Sequence, residues 1–348
     1  MERFLKICNK LNLGELVNKP VILTGGFMHK MYGIATTKGK YAVKLLNPYV
    51  MKRESAKENY RIAEELEAVL EQHSISILPA LTFDKRKMQE IDGQFFYIFD
   101  WYEGKALHGK DISKKHCVEM GKVLAKIHNI SIKEEPYKKE ELHIDWNFYL
   151  DRFKEENLEI YKLLKDNISL LYESQDKGNE AIKKIPNIIT ICHNDMDCKN
   201  VLWNENEYRI IDLECLSYAS PVIEMYELAL CWSGYEECNI DFSLFKAFIK
   251  AYLEAGGFKT ADGENLYYSN NGRLEWLEYN MKRVLGIECD ISEKEMGISE
   301  VFSTMKHVIY YDRVKEDILD CLKILKNSED AEKVKKAYEV TNAEKFEM

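Results

Sequence analysis

The hydrophobic spacing changes character near Gly104, and this change restricts the possible folds more than any other feature of the chain. Before it, apolar residues come in short runs suited to strands. Residues 21–25 and 31–37, a Lys38-Gly39 turn and residues 41–46 read as strand, strand, turn and strand. One helix interrupts the pattern, because Tyr60, Ala63, Leu66 and Leu70 recur at helical spacing. Residues 78–83 and 94–101 return to strand character. Beyond Lys114 helical stripes dominate, as in Cys117, Met120, Leu124, Ile127 and His128. The helix carrying Phe245, Phe248, Ile249 and Tyr252 is expected to stop at Gly256-Gly257. Two β-type runs, residues 188–192 and 208–213, break the helical half. The expectation is an α+β chain, with a β-rich N-terminal lobe over residues 1–103 and a mostly helical C-terminal lobe over residues 104–348.

Charge narrows the function classes. Basic side chains number 49 against 59 acidic ones, a formal net charge of −10. Phosphate backbones and anionic lipid would be repelled, so neither nucleic acid nor membrane is expected as a partner. The 348 residues, 46% of them hydrophobic, can bury a full core without staples. Nine cysteines include no Cys-x-x-Cys pair and no zinc spacing, which reads as reduced thiols in a cytoplasmic protein. The start carries Glu2, Arg3, Lys6 and Lys10 and no apolar core, so no signal peptide is expected. No apolar run is long enough for a membrane helix. Oligomeric state is not legible.

Chemistry concentrates in His193-Asn194-Asp195-Met196-Asp197-Cys198-Lys199-Asn200, of the form HxDxxxxN. Asp212 follows within Ile210-Ile211-Asp212-Leu213-Glu214. A loop and a strand end could bring Asp195, Asn200 and Asp212 to one spot. One carboxylate can accept or orient a hydroxyl proton, and an amide oxygen with a second carboxylate suits Mg²⁺. The plain alternative is a His-Asp turn that caps a loop. Lys44 stands mid-strand with apolar neighbours at 42, 43, 45 and 46, so its strand reads as buried on both faces. A buried amine needs a counter-charge, which a phosphate or a helix glutamate would provide. Upstream, Thr24-Gly25-Gly26-Phe27 offers backbone N–H groups at a turn able to approach phosphate. An ordinary hairpin turn would use the same letters.

These features occur in a set order: glycine turn, strand lysine, helix with glutamates, HxDxxxxN, then aspartate. In that order, over roughly residues 20–290, the sequence resembles the aminoglycoside phosphotransferase and choline kinase-like family. Phe99-Asp100-Trp101-Tyr102-Glu103-Gly104 is similar to its hinge, and residues 121–128 to its "LAxLH" helix. Residues 276–286, with Asn280 and Arg283, are similar to its late helix. The resemblance implies a bilobal protein-kinase-like fold, ATP or GTP with Mg²⁺, and phosphoryl transfer to a small hydroxylated molecule. Asp195 would be the catalytic carboxylate and His193 its brace. Asn200 and Asp212 would hold metal, and Lys44 would contact the phosphates beneath the Gly25-Gly26 turn. Backbone groups of Asp100 and Tyr102 would pair with the base, between walls made by Leu202 and Ile211. For the partner of Lys44 the candidates are Glu54, Glu58, Glu64 and Glu65. Spacing to Pro79 selects Glu64, whereas Glu58 shares a stripe with Ile62 and Leu66.

The chain departs from the family in places. The common HGDLHPGN is HNDMDCKN here, and Asp-Pro-x-x-Asp becomes Ser220-Pro221-x-x-Glu224. Ser220 follows Asp212 so closely that no activation segment fits, and no Ala-Pro-Glu anchor occurs. A small acceptor is therefore expected rather than a protein. Residues 142–184 and 224–240 are expected to wall its site. Glu224, Glu227, Glu236 and Glu237 with Trp232 and Tyr235 suit a cationic acceptor, aminoglycoside-, choline- or sugar-like. Core aromatics beside a wet acidic rim would look the same. The rival reading of the whole chain is a non-catalytic kinase-fold protein with a binding or structural role, as in spore coats.

Overall fold

The computed structural model describes residues 1–23, 28–131, 141–205, 207–260, 262–287, 289 and 293–325. Gly25 and Gly26, expected at the phosphate turn, lie outside the described residues. The chain divides into two compact units. One holds Met1–Asp111 and Ile191–Ser217; the other holds Ile112–Thr190 and the chain from Tyr218 onward.

In the first unit, α1 (Glu2–Leu11) buries Phe4, Ile7, Cys8 and Leu11, one stripe at helical spacing. Five strands follow: β1 (Val21–Leu23), β2 (Lys30–Thr36), β3 (Gly39–Leu45), β4 (Gln89–Ile91) and β5 (Gln94–Asp100). They form an antiparallel sheet in the order β1-β2-β3-β5-β4. Central β3 is covered on both faces, as its unbroken apolar run implies. Val43 and Leu45 pack in the cluster that contains α1, while Leu46 packs with Tyr60 and Tyr97. Tyr60 belongs to α3 (Ala56–Gln72), which a short α2 (Pro48–Met51) precedes. Because side chains alternate along a strand, Lys44 leaves β3 on the α3 side, between Met31 and Tyr97.

Residues 78–83, expected as a strand, form only isolated bridges at Ala80 and Phe83. Pro79 has no N–H, and the Ala80 N–H donates to the Glu67 carboxylate at 2.8 Å rather than to a strand. The unit is completed by a returning piece of chain, residues 191–217, that carries β7 (Val201–Asn204) and β8 (Glu207–Ile210); β6 (Thr190–Cys192) and β9 (Ser217–Ala219) lie at its two ends. β7 and β8 form a hairpin. Backbone hydrogen bonds hold the hairpin in the first unit: Leu78 N–H to Ile210 O at 2.8 Å, Ile210 N–H to Ser76 O at 2.8 Å, and Lys105 N–H to Trp203 O at 2.8 Å. The division therefore differs from a single seam at 103/104. The first unit runs on to Asp111, and residues 191–217 belong to it rather than to the helical part.

The second unit is helical: α4 (Lys114–His128), α5 (Trp146–Glu156), α6 (Leu158–Lys184), α7 (Pro221–Cys231), α8 (Phe242–Glu254), α9 (Gly263–Tyr268), α10 (Gly272–Val284), α11 (Lys294–Arg313) and α12 (Lys315–Leu322). Gly121 on α4 lets that helix approach α8, since a Cβ there would lie 2.5 Å from the Phe248 carbonyl oxygen. His128 ties three helices together, its Nε2 2.7 Å from a Glu224 carboxylate oxygen and its Nδ1 2.8 Å from the Tyr252 hydroxyl. Glu224 is thus engaged inside the helical core, and Trp232 is fully buried there. Neither is free to wall an acceptor site. Among the described residues no helix is long and apolar enough to cross a membrane.

Glu227, one turn beyond Glu224 on α7, has a pH-dependent role in stability. Burial first, then the charges of Glu224 and Glu275, push its carboxyl up to about 8, against the pull of Arg273. The unfolded chain binds that proton only below its ordinary value of 4.5. Between these limits the folded state binds more protons, so the contribution of Glu227 is lost as pH rises. Glu227→Gln removes this loss. The stability of the variant relative to wild type is expected to gain about 2–4 kcal/mol between pH 5 and pH 9. Thermal melts of both proteins at the two pH values check it; parallel curves would contradict it.

Candidate active site

The residues of HxDxxxxN, the strand lysine and the following aspartate all lie in the first unit. The loop leaves β6 through Asn194, whose φ of 61° is left-handed. Where the family pattern has glycine, asparagine is the side chain that best tolerates this region. It also pins the loop, with Nδ2 2.8 Å from Cys215 O and 2.9 Å from Ser217 Oγ. His193 is fully buried and its Nδ1 accepts from the Asp195 N–H at 3.3 Å.

Asn200 fixes Asp195. Its Nδ2 donates to the Asp195 backbone oxygen and to Oδ2, both at 2.8 Å. The other carboxylate oxygen, Oδ1, lies 3.4 Å from Lys199 Nζ, which is 2.7 Å from Asp197. Burial, then the neighbouring charges of Asp197 and Asp212, push the Asp195 carboxyl up to about 7 against the pull of Lys199.

Asp212 lies past the end of β8, in a left-handed turn with φ 62°, rather than on a strand. The short 3₁₀ turn Leu213–Cys215 follows, so Asp212 and Glu214 both reach Lys44. Lys44 Nζ is 2.5 Å from Asp212 Oδ1 and 2.5 Å from Glu214 Oε2. Burial opposes the charged amine, but the two carboxylates outweigh it and hold Lys44 well above the usual lysine range. Burial likewise opposes the Glu214 carboxylate; Lys44 and His29 outweigh it and bring that carboxyl down to about 2.

Glu64, expected to pair with Lys44, does not. It accepts from the Tyr97 hydroxyl at 2.8 Å and from Met88 N–H at 3.1 Å. Tyr97 is the β5 residue opposite Lys44, so its ring end reaches the α3 carboxylate. Glu58 and Glu65 are engaged with Arg61 on the exposed face of the helix.

Asp100 ends β5 and is exposed. Tyr102 O accepts from Gly104 N–H at 3.0 Å, and no acceptor for Tyr102 N–H occurs among the described residues. A Cβ on Gly104 would meet the Tyr102 ring at 2.6 Å and Leu202 Cβ at 3.0 Å, so the hinge-like turn and Leu202 are in close contact. Ile211 is partly buried, its N–H bound to Asn200 O at 2.9 Å.

Two hard oxygens stand out. Asn200 commits its Nδ2 to Asp195, and its Oδ1 accepts no hydrogen bond among the described residues. Asp212 engages Lys44 through Oδ1 only. An amide and a carboxylate oxygen without donors fit a divalent cation.

Sequence reasoning missed three members of this cluster: Glu214, His29 and Tyr60. Glu214 was signalled only by standing two residues beyond Asp212. His29 and Tyr60 carried no signal, since a histidine near a glycine turn and a core tyrosine on a helix are ordinary features.

Residues 21–265 match the model of the phosphotransferase enzyme family. The chain belongs to that family. Its members are small-molecule phosphotransferases, and the expectation from the motifs is met at this level. Ethanolamine kinase 1 of Homo sapiens is 24% identical over 181 residues, a match spanning 47% of this chain and 39% of that protein. A spectinomycin phosphotransferase, crystallised with ADP and spectinomycin, is similar with a TM-score of 0.69 and 14% identity, covering 90% of this chain and 98% of that one. An ethanolamine kinase from Plasmodium vivax is similar with a TM-score of 0.55 and 17% identity, covering 82% and 81%. The fold is thus the protein-kinase-like fold of the family.

Proposed function

We propose that this phosphotransferase moves the γ-phosphate of ATP or GTP to a hydroxyl of a small, cationic molecule. The observation that carries the reading is the cluster of Lys44, Asp212, Asn200 and Asp195 within one unit. Asp195 would take or orient the acceptor's proton. Asn200 fixes the carboxylate's direction, and a carboxyl pushed up to about 7 is near the value that suits a base in neutral solution. Lys44 would exchange Asp212 for phosphate oxygens while staying on Glu214. Tyr102 N–H, with Leu202 nearby, would receive the base, and Ile211 would form the other wall.

Asn200 and Asp212 would hold Mg²⁺, which when bound neutralises phosphate charge. Catalysis by this set is positioning and charge neutralisation, not covalent chemistry. The short stretch between Asp212 and α7 at Pro221 supports a small acceptor over a peptide. The net charge of −10 supports a cationic one, as do the acceptors of similar proteins, ethanolamine and spectinomycin.

The test is nucleotide consumption by the purified chain with Mg²⁺, screened against aminoglycosides, amino alcohols and neutral sugars. Acceptor-dependent consumption with an aminated class is expected. Consumption with neutral sugars alone would reject the cationic acceptor, and acceptor-independent background with every panel member would count against the reading.

A further inference from the structure

Resting on the phosphoryl-transfer reading, we propose that His29 is a positioning residue for Lys44. It holds Glu214, and Glu214, not a glutamate of α3, is the standing anchor of the strand lysine. His29 immediately precedes β2 and is buried, 6% exposed. Its Nδ1 accepts from the Asn47 N–H at 2.9 Å. An acceptor at Nδ1 places the proton of the neutral ring on Nε2. Nε2 is 3.0 Å from Glu214 Oε1, so the ring donates there. The other oxygen of the same carboxylate, Oε2, is 2.5 Å from Lys44 Nζ. One carboxylate is therefore held at both ends, by a ring fixed to the backbone and by the amine it orients. The Tyr60 hydroxyl of α3 lies 3.2 Å from the same Nε2. Helix α3 thus reaches this network through a tyrosine, while its Glu64 is engaged by Tyr97 and Met88.

The arrangement separates two tasks. With metal and nucleotide bound, Asp212 would divide its carboxylate between the cation and Lys44, so it would hold the amine less firmly. Glu214 would not share in that, because His29 keeps its carboxylate in place. Without His29, Glu214 would lose a hydrogen bond from a buried donor and with it a fixed direction. Lys44 would then wander among carboxylates rather than point one way.

The experiment uses the full chain, wild type and His29→Leu, with His29→Gln as the conservative variant that keeps an N–H at the reach of Nε2. The first readout is the rate at which an amine-acylating reagent modifies Lys44 in nucleotide-free protein, measured by peptide mass spectrometry. The second is MgATP affinity by calorimetry, with thermal melts alongside. His29→Leu is expected to raise Lys44 acylation about tenfold and weaken MgATP about tenfold, the value of one lost hydrogen bond to a charged group. His29→Gln should stay within about threefold of wild type on both. Unchanged acylation and affinity in His29→Leu would overturn the proposal, as would a His29→Gln as impaired as the leucine variant. Should His29→Leu fail to fold, Glu214→Gln takes its place: faster Lys44 acylation supports the proposal and an unchanged rate overturns it. Wild type that binds no MgATP would sink the phosphoryl-transfer reading alone, because the acylation rates still decide the role of His29.

Discussion

Asp195→Ala is expected to lower turnover by about three orders of magnitude, the range associated with removing a positioned base. MgATP affinity should stay within about threefold, because Asp195 is not among the oxygens assigned to metal or phosphate. Asn200 grips Asp195 through both the backbone oxygen and one carboxylate oxygen at 2.8 Å. Removing the carboxylate leaves the backbone contact, so the loop keeps its path. Burial disfavours the Asp195 carboxylate, so alanine removes an unfavourable charge rather than a stabilising one. The melting temperature should therefore hold while activity disappears. Steady-state turnover with the best acceptor, set beside calorimetry and a thermal melt, checks all three. Undiminished turnover would reject Asp195 as the base.

Asp212→Asn has the second large effect, on metal-dependent nucleotide binding. Asparagine keeps the shape and can still accept from Lys44, but it loses the charge that a divalent cation requires. MgATP affinity is expected to fall about tenfold to a hundredfold, with affinity for ATP in EDTA nearly unchanged. Lys44 should remain seated on Glu214 Oε2, 2.5 Å away. Equal losses in Mg²⁺ and in EDTA would mean that Asp212 serves Lys44 rather than a metal.

The sequence carried local information well and long-range pairing poorly. Lys44 within an apolar run was legible as a buried amine, because both faces of β3 are covered and the run says so. HxDxxxxN was legible because its members lie close along the chain. The partner of Lys44 was not legible. Five glutamates recur along α3, and helical spacing identifies a face without saying what stands opposite. The register of β3 on β5 decides the matter by placing Tyr97 beside Lys44, where its hydroxyl takes Glu64. The limits of the units were hidden for the same reason. Residues 191–217 join the first unit through hydrogen bonds to Ser76, Leu78 and Lys105, which no pattern along the chain announces. His29 is the extreme case, since its role depends on Asn47, Tyr60 and Glu214 arriving from three separate segments.

The most direct measurement is a calorimetric titration of ATP into the wild-type chain, once with Mg²⁺ and once with EDTA. Lys44 on Asp212, with a donor-free oxygen on each of Asn200 and Asp212, predicts binding with Mg²⁺ that is at least about tenfold tighter than without it. Equal affinity in both buffers, or no heat in either, would contradict the assignment of this cluster as a metal–nucleotide site.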